Sequence, residues 1–595
     1  MKKFLLLIFV CLITTAALAA NLSGTLTDNS GPASISWNGG PLTGALGYGG
    51  LLGLSPPCNS TICDIYNLTL SIPSNFYSSN PNFAVHVKVG WNSNIQDIDV
   101  YVFDVNGNLV GASATGGTIS EDADLGQLPA GSYTIQIVPA SCVATSYGGT
   151  VNMAQEPALP MGKAQYKLGN FTFTSQVLTR PPQTINNNPA TPIFFEQDAE
   201  PRVVHDPVGN IYVGAIQGVP AGTDLWKSMD GGNTFTYLGE PDGTQAAAAA
   251  GAGTGVGIGG GDEDIDVGSS GKLALASLWL GSVTNSASSD GATTWVTNPF
   301  ASDLPEDDRQ WLAFYGQNVV YLTTKQLGTL DNSTLTIYVV KSFDGGITFP
   351  QVAEVTKPAL GVQPGDQGNI VVDQNNGNVY MVFIGAYPNQ VYLAKSTDGG
   401  LNWLLKLIYQ SPSGTSLQHV FPAIAIDRGG NLHVVFNDGR RSLLTSSRDQ
   451  GASWTTPVQV NTGANAKTSV EPWVVAGDVG KLNIFFYGTS ASDFMNPNAQ
   501  WQIFMAQTPN AFRNVPVFYI KPATGVMHKG AICVNGTACP SGTRNLLEYF
   551  FPDTYMDGNA LAISRRLARK PEHHHYATLV PQTDRRHAHF GNAMM

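Results

Sequence analysis

Short runs of alternating apolar and polar residues, broken every few positions by Gly, Pro or Asn, dominate the chain. FAVHVKVGW (83–91), DIDVYVFD (97–104) and GSYTIQIVP (131–139) place apolar side chains on one strand face and polar ones on the other. Asn106-Gly107, between DVYVFDV and NLVGAS, has the composition of a tight hairpin turn. The alternation over 21–160 therefore predicts an antiparallel β-sandwich. Residues 161–199 join this sandwich to the rest of the chain: TRPPQTINNNPATP (179–192) reads as linker, and NFTFTSQVL (170–178) as one more strand.

From Glu200 onward the pattern repeats. A two-strand phrase turning on glycine, as in VVHDPVGNIYVGAI around Gly209, recurs around Gly271, Gly316, Gly377, Gly430, Gly480 and Gly558. After each of the first five comes one further strand and then an octet: SMDGGNTF, SSDGATTW, SFDGGITF, STDGGLNW and SRDQGASW. The unit is strand, turn, strand, loop, strand, octet, strand, roughly 45 to 60 residues long, and serial four-stranded units predict a β-propeller over 200–595. The sixth unit ends in WQIFMAQTPNAF, without the octet's Ser and Asp. Seven phrases point to seven blades, the last completed by the strand at 170–178; six is the alternative. The fold class is all-β, a sandwich followed by a six- or seven-bladed propeller.

The octet is a turn device. Its Ser and Asp are placed to bond nearby backbone N–H groups, and its glycine to take a positive φ. These positions are Ser228, Asp230 and Gly232; Ser288 and Asp290; Ser342, Asp344 and Gly346; Ser396, Asp398 and Gly400; and Ser447, Asp449 and Gly451. Ala292 and Gln450 depart from glycine, which a turn tolerates and a ligand site would not. The motif is the Asp-box, or BNR repeat, and on its five copies the region resembles the sialidase-like Asp-box β-propellers. That resemblance implies a propeller, for which the family favours six blades, with the boxes on the rim, away from the binding face. The family holds exo-sialidases, other glycosidases and propellers without known activity. DIDVYVFDVNGNLV through LPAGSYTIQIVP resembles the bacterial pre-peptidase C-terminal module, an accessory domain of exported proteins, which implies that the sandwich is jelly-roll-like.

Composition narrows the partners. Charged residues make up only 12% of the chain and acids outnumber bases, 43 against 31, which argues against nucleic acid or an anionic membrane as partner. Lys2 and Lys3, the apolar run FLLLIFVCLITTAALA and the small-residue ending Ala17-Leu18-Ala19 form a secretory signal (1–20) cleaved after Ala19 or Ala20. The expected mature protein is extracellular or periplasmic, with no membrane span. Cys58/Cys63 and Cys533/Cys539 suggest local disulfides; Cys142 is odd, or pairs with Cys58 or Cys63.

Ligands of propellers meet the loops leading into the innermost strands. Those loops supply Glu200, Arg202, Asp264, Asp308, Arg309, Asp366, His419, Glu471, Arg544 and Glu548 as one polar ring; the alternative is that these charges only satisfy one another. The resemblance implies more specific roles. Arg202, Arg309 and Arg544 would clamp a carboxylate, Asp264 or Asp266 would be the acid–base, and Glu548 would activate Tyr549. Adjacent strand residues point to opposite faces, so Glu548 and Tyr549 cooperate poorly, and Tyr487 is a second nucleophile candidate. Asp308, Asp366, His419 and Glu471 would complete substrate binding. No cofactor is required, although DEDID (262–266) and EDD (306–308) are dense enough to hold calcium through Asp262, Asp264 and Asp308. The expected function is a secreted propeller acting on or binding a glycan or glycoprotein, as an exo-glycosidase of sialidase type. The alternative is a non-catalytic scaffold or adhesion propeller.

Overall fold

A computed structural model describes residues 21–27, 33–44, 63–80, 83–93, 95–107, 109–113, 119–125, 128–155, 164–168 and 171–178. It continues with 183–184, 192–193 and 199–535, apart from 219–221, 244–258, 280–281, 303, 305–306, 327–334, 358–360 and 386–388, and then with 539, 543, 552–555, 560–568 and 573–581. Its elements are almost all strands, in two units.

The first unit has eight strands: β1 (Asn21–Thr27), β2 (Ala33–Gly44), β3 (Asp64–Ser71), β4 (Phe83–Gly90), β5 (Asp97–Phe103), β6 (Leu109–Ser113), β7 (Ser120–Asp124) and β8 (Gly131–Gln155). β8 passes from one sheet to the other. Its first half pairs with β3 and β5, its second half with β2 and β4. Val85, Val87, Val100, Val102, Ile135 and Val151 fill the space between the sheets, fully buried. The β5–β6 turn is closed by Asn106 N–H on Asp104 Oδ1 at 2.8 Å, with Gly107 at φ 79°. One pair departs from the antiparallel expectation: β1 and β3 run parallel, Asn21 opposite Ile65. They cannot form a hairpin, because β2, in the other sheet, lies between them in the chain. Cys142 is free and buried, its thiol on the Asp97 carbonyl. Cys63 is disulfide-bonded to a partner outside the described residues, and Cys533 is bonded to Cys539.

In the second unit six antiparallel sheets follow one another in chain order, five of four strands and the sixth with a short fifth strand, His528–Lys529, making six propeller blades. Their inner strands are Ala199–His205, Glu263–Val267, Asp307–Tyr315, Pro364–Val372, Ala423–Ile426 and Thr468–Ala476, each packed on the next. The seventh phrase does not make a blade of the same kind. Pro552–Tyr555, Ala560–Ala568 and His573–Pro581 pair in order, and the sheet is then extended by Phe171–Val177 and Ala164–Leu168 from before blade 1. This terminal sheet lies against the inner strands of blades 1 and 6.

Each octet closes the turn from third to fourth strand. In the first, Ser228 Oγ donates to Asp230 Oδ1 at 2.9 Å and accepts from Gly232 N–H at 2.7 Å. Asp230 in turn accepts from Thr234 N–H and its hydroxyl. The same bonds recur from Ser288, Ser342, Ser396 and Ser447. Ala292 and Gln450 are forced to φ 69° and 58°. The sixth turn keeps part of this chemistry: Asn510 N–H donates to Thr508 Oγ1 and Phe512 N–H to Asn510 Oδ1, so Thr and Asn stand where Ser and Asp were missed.

The octets also join blades. Trp295, Phe349, Trp403 and Trp454 pack against the preceding blade's core, roughly 2–3 kcal/mol of apolar burial each. Lysines return the contact. Lys227, Lys341 and Lys395 lie over Tyr212, Tyr321 and Tyr380 and donate to the carbonyls of Gly291, Gly399 and Gln450 in the next octet. Asn285 does the same from blade 2, on the Gly346 carbonyl at 2.7 Å.

Hydrogen bonds from the residue four positions on, through its N–H and side chain, hold Asp230, Asp290, Asp398 and Asp449 down at about 2. These carboxyls are more acidic folded than unfolded. Their contribution to stability is therefore complete above the ordinary aspartate value of 3.8 and is lost as pH falls through about 2. Replacing all four by Asn should lower stability at pH 5 and flatten its loss between pH 4 and 2, measured by urea unfolding. An unchanged slope would refute this role.

Candidate functional site

The site is built where the inner strands begin. In blades 1, 3 and 6 the strand starts with a bulge, its register shifting between Ala199 and Arg202, Asp308 and Trp311, and Val470 and Trp473. Each bulge holds a charged residue at positive φ: Glu200 at 49°, Arg309 at 52° and Glu471 at 51°. For non-glycine residues this costs roughly 1–3 kcal/mol each, so the surrounding packing must enforce it.

Packing around these bulges is dense. Arg309, 1% exposed, donates to Glu200 at 3.2 Å and lies 3.6 Å from Asp262. Its guanidinium stacks on Trp311 at 4.2 Å and faces Phe421. Trp311 stacks on Trp473, and Arg202 lies over the Trp473 ring at 5.7 Å. Two stacked tryptophans, with an arginine against each, thus join the starts of blades 1, 3 and 6. Arg202 Nε is 3.0 Å from Asp264 Oδ1, and Glu263 accepts the Arg202 N–H. Burial pushes Glu263 well above, and Asp264 above, the ordinary carboxyl range; Arg202 draws both back.

Asp264 and Asp266, two apart and therefore on one face, both reach into blade 3. Asp264 accepts the Leu312 N–H and Asp266 the Phe314 N–H, each at 2.7 Å. Burial pushes Asp266 up to about 7. Glu263, Gln310 and Gln367, fully buried, reach back to the preceding blade: Gln310 to the Asp262 carbonyl and Gln367 to Thr323.

A second group, partly exposed, spans blades 3 to 5. Lys325 lies 4.0 Å from Asp308 and donates to the Gly365 carbonyl. Gln418 Nε2 reaches Asp366 Oδ1 at 3.4 Å. Burial pushes Asp366 up to about 6, with Lys325 opposing and Asp308 adding to the shift. Beside Gln418, His419 meets Phe494 edge-on, and burial pushes its pKa down.

The structure therefore brings together Glu200, Arg202, Asp264 and Arg309 in one buried cluster, and Asp308 and Asp366 in a second, while His419 turns to Phe494. Glu471 sits buried at its bulge two residues before Trp473. Tyr487 is the cross-strand partner of Val470 and is 1% exposed. Arg544, Glu548 and Tyr549 lie outside the described residues. The calcium set does not assemble, because Asp262, Asp264 and Asp308 each turn to a different cation: Arg309, Arg202 and Lys325. Among the described residues no group of three or more His, Cys, Asp or Glu is placed to hold a metal. Sequence reasoning missed Glu263, Gln310, Lys325, Gln367 and Gln418. RQW and EPW at two strand starts were the available signal for Trp311 and Trp473.

Arg309→Met should cost about 3–5 kcal/mol in denaturant unfolding by stranding Glu200, and adding Glu200→Gln should restore at least half. A single-variant cost under 1 kcal/mol would contradict the buried pair. Asp266 titrates higher folded than unfolded, so its contribution is present below pH 3.8 and lost as pH rises through about 7. Asp266→Asn keeps an acceptor for Phe314 and should be more stable than wild type at pH 8, a gain that vanishes at pH 4. Equal gains at both pH values would contradict the shift.

No family model matches the sequence, and no curated protein matches it. Among solved structures, an α-L-arabinofuranosidase from Fusarium graminearum with an iminosugar inhibitor is similar at 17% identity, TM-score 0.36, over 56% of this chain and 95% of that one. The intramolecular trans-sialidase from Ruminococcus gnavus is similar at 14% identity, TM-score 0.35, over 65% and 96%. A Hadza microbial sialidase is similar at 12% identity, TM-score 0.35, over 84% and 94%. At these scores the likeness bears on neither activity nor residue roles. The chain is an all-β protein with a six-bladed propeller arrangement.

Proposed function

We propose that this is an exported Asp-box propeller that acts on or binds glycans at the leading ends of blades 3 to 5, with Asp366 and Asp308 as its working carboxyl pair. The observation that carries this reading is the Asp308–Lys325–Asp366 group, two carboxyls in contrasting environments at a partly exposed strand start. Such a division suits glycoside hydrolysis. Asp366, protonated up to about pH 6, would hand its proton to the glycosidic oxygen. Asp308, 4.0 Å from Lys325, would act on the anomeric carbon or on the attacking water. Gln418 would fix the orientation of Asp366. Asp264 and Asp266 suit proton transfer less well, since each is spent on a backbone N–H of blade 3. A sialidase-type clamp would have to draw Arg202 and Arg309 away from Asp264 and Glu200, so a glycoside without a carboxylate is the preferred substrate class.

One observation favours the second reading, a non-catalytic scaffold or adhesion propeller. The arginines and acids at the bulges neutralise one another in burial, as a structural core would.

The test is hydrolysis of a fluorogenic glycoside panel that includes a sialoside. Turnover of a neutral glycoside should fall about 10²–10⁴-fold in Asp366→Asn and in Asp308→Asn, with folding intact by circular dichroism. The limb of the pH profile near 6 should disappear in Asp366→Asn. Turnover indifferent to both substitutions would reject the pair. A silent panel together with no retention on immobilised glycans would favour the scaffold.

A further inference from the structure

The seam between blade 1 and the terminal sheet is joined by a titratable contact. His205, the last residue of the inner strand of blade 1, meets Asp553 of the strand Pro552–Tyr555, Nδ1 to Oδ2 at 2.9 Å. Both side chains keep about a quarter of their surface in solvent, 26% and 30%, so protons reach them. Asp553 is not the only acid facing the ring. Asp206, next to His205 in the chain, and Asp266, from the inner strand of blade 2, add their charge. Asp206 is held in place by the N–H groups of Val208 and Asn210 and by the Tyr212 hydroxyl. Asp266 is held by the Phe314 N–H.

The seam matters because the terminal sheet is assembled from both directions of the chain. Its third strand pairs with residues that precede blade 1, Val177 opposite Tyr576 and Thr174 opposite Leu579. Its first two strands rest on the inner strand of blade 1. A cation at position 205 is attracted by Asp553 across the seam and by Asp206 beside it, an attraction that a neutral imidazole gives up.

We propose that His205, as an imidazolium held against Asp553 and flanked by Asp206, is an ionic latch between blade 1 and the terminal sheet, and that the seam loosens when His205 loses its proton. Burial alone would favour the neutral ring, but the neighbouring acids, Asp553 first, more than offset it and hold the pKa above the ordinary 6.5. The latch therefore contributes fully below pH 6.5 and is lost as pH rises through the folded value above it. Loosening would begin at the strand Pro552–Tyr555 and spread to the strands paired beyond it.

Hydrogen exchange of the full chain, corrected for the intrinsic effect of pH, tests this at pH 5.5 and 8.5. In the wild type, protection of peptides covering 552–581 and 171–177 should fall about several-fold at the higher pH. His205→Gln should show the low protection at both values, and His205→Arg, a permanent cation, the high protection at both. Asp553→Asn should reduce the pH dependence even if the arginine variant does not fold. Peptides from 423–459 in blade 5 should not respond in any variant. Flat protection in the wild type, or a full pH response surviving in His205→Gln, would overturn the latch.

Discussion

A four-stranded blade cannot cover its own two faces, and the rest of the propeller depends on that constraint. Only the blades on either side can keep water from a middle strand. Val379–Gly385 and Leu482–Thr489 are accordingly buried at every position, while fourth strands such as Gln351–Glu354 alternate between half-buried and exposed. Contact between blades is therefore the dominant source of burial, and its spacing must be the same at every junction. The octets provide that spacing. Their turn geometry is locked by Ser and Asp, their terminal aromatic ring enters the preceding core, and a lysine or asparagine from that blade caps the octet carbonyl.

The same constraint forces charge together at the strand starts. Six inner strands arrive side by side, and whatever precedes them must share a small, poorly hydrated space. Glu200 and Arg309 neutralise each other there, Arg202 turns to Asp264, and Trp311 and Trp473 fill the gap between the two arginines. The bulges aim these side chains at the cost of positive φ. Where crowding relaxes, in blades 3 to 5, Asp308, Lys325 and Asp366 keep contact with solvent.

How far this was legible varied by element. Five octets were plain in the sequence because a turn that must repeat needs the same residue types at the same spacing. The sixth turn was hidden, since Thr508 and Asn510 present the same oxygens under different names. The parallel pairing of β1 and β3 was not visible, because alternation records which face is buried and not which neighbour lies alongside. Lys325 and Gln418 carried no signal, being ordinary polar residues until blades 3 to 5 bring them to Asp308 and Asp366.

The roster of strand-start residues was readable, but their division was not. Glu200, Arg202, Asp264, Asp308, Arg309, Asp366, His419 and Glu471 stand before or within the first strand of a repeating unit, and spacing alone determined that they share one end of the propeller. Tertiary structure decided which of them became buried ion pairs and which stayed open. Local turn geometry is written within eight residues and survives in any context. The charge state and exposure of an acid depend instead on cations and apolar walls contributed by other blades, as Arg309 is to Glu200 across 109 positions.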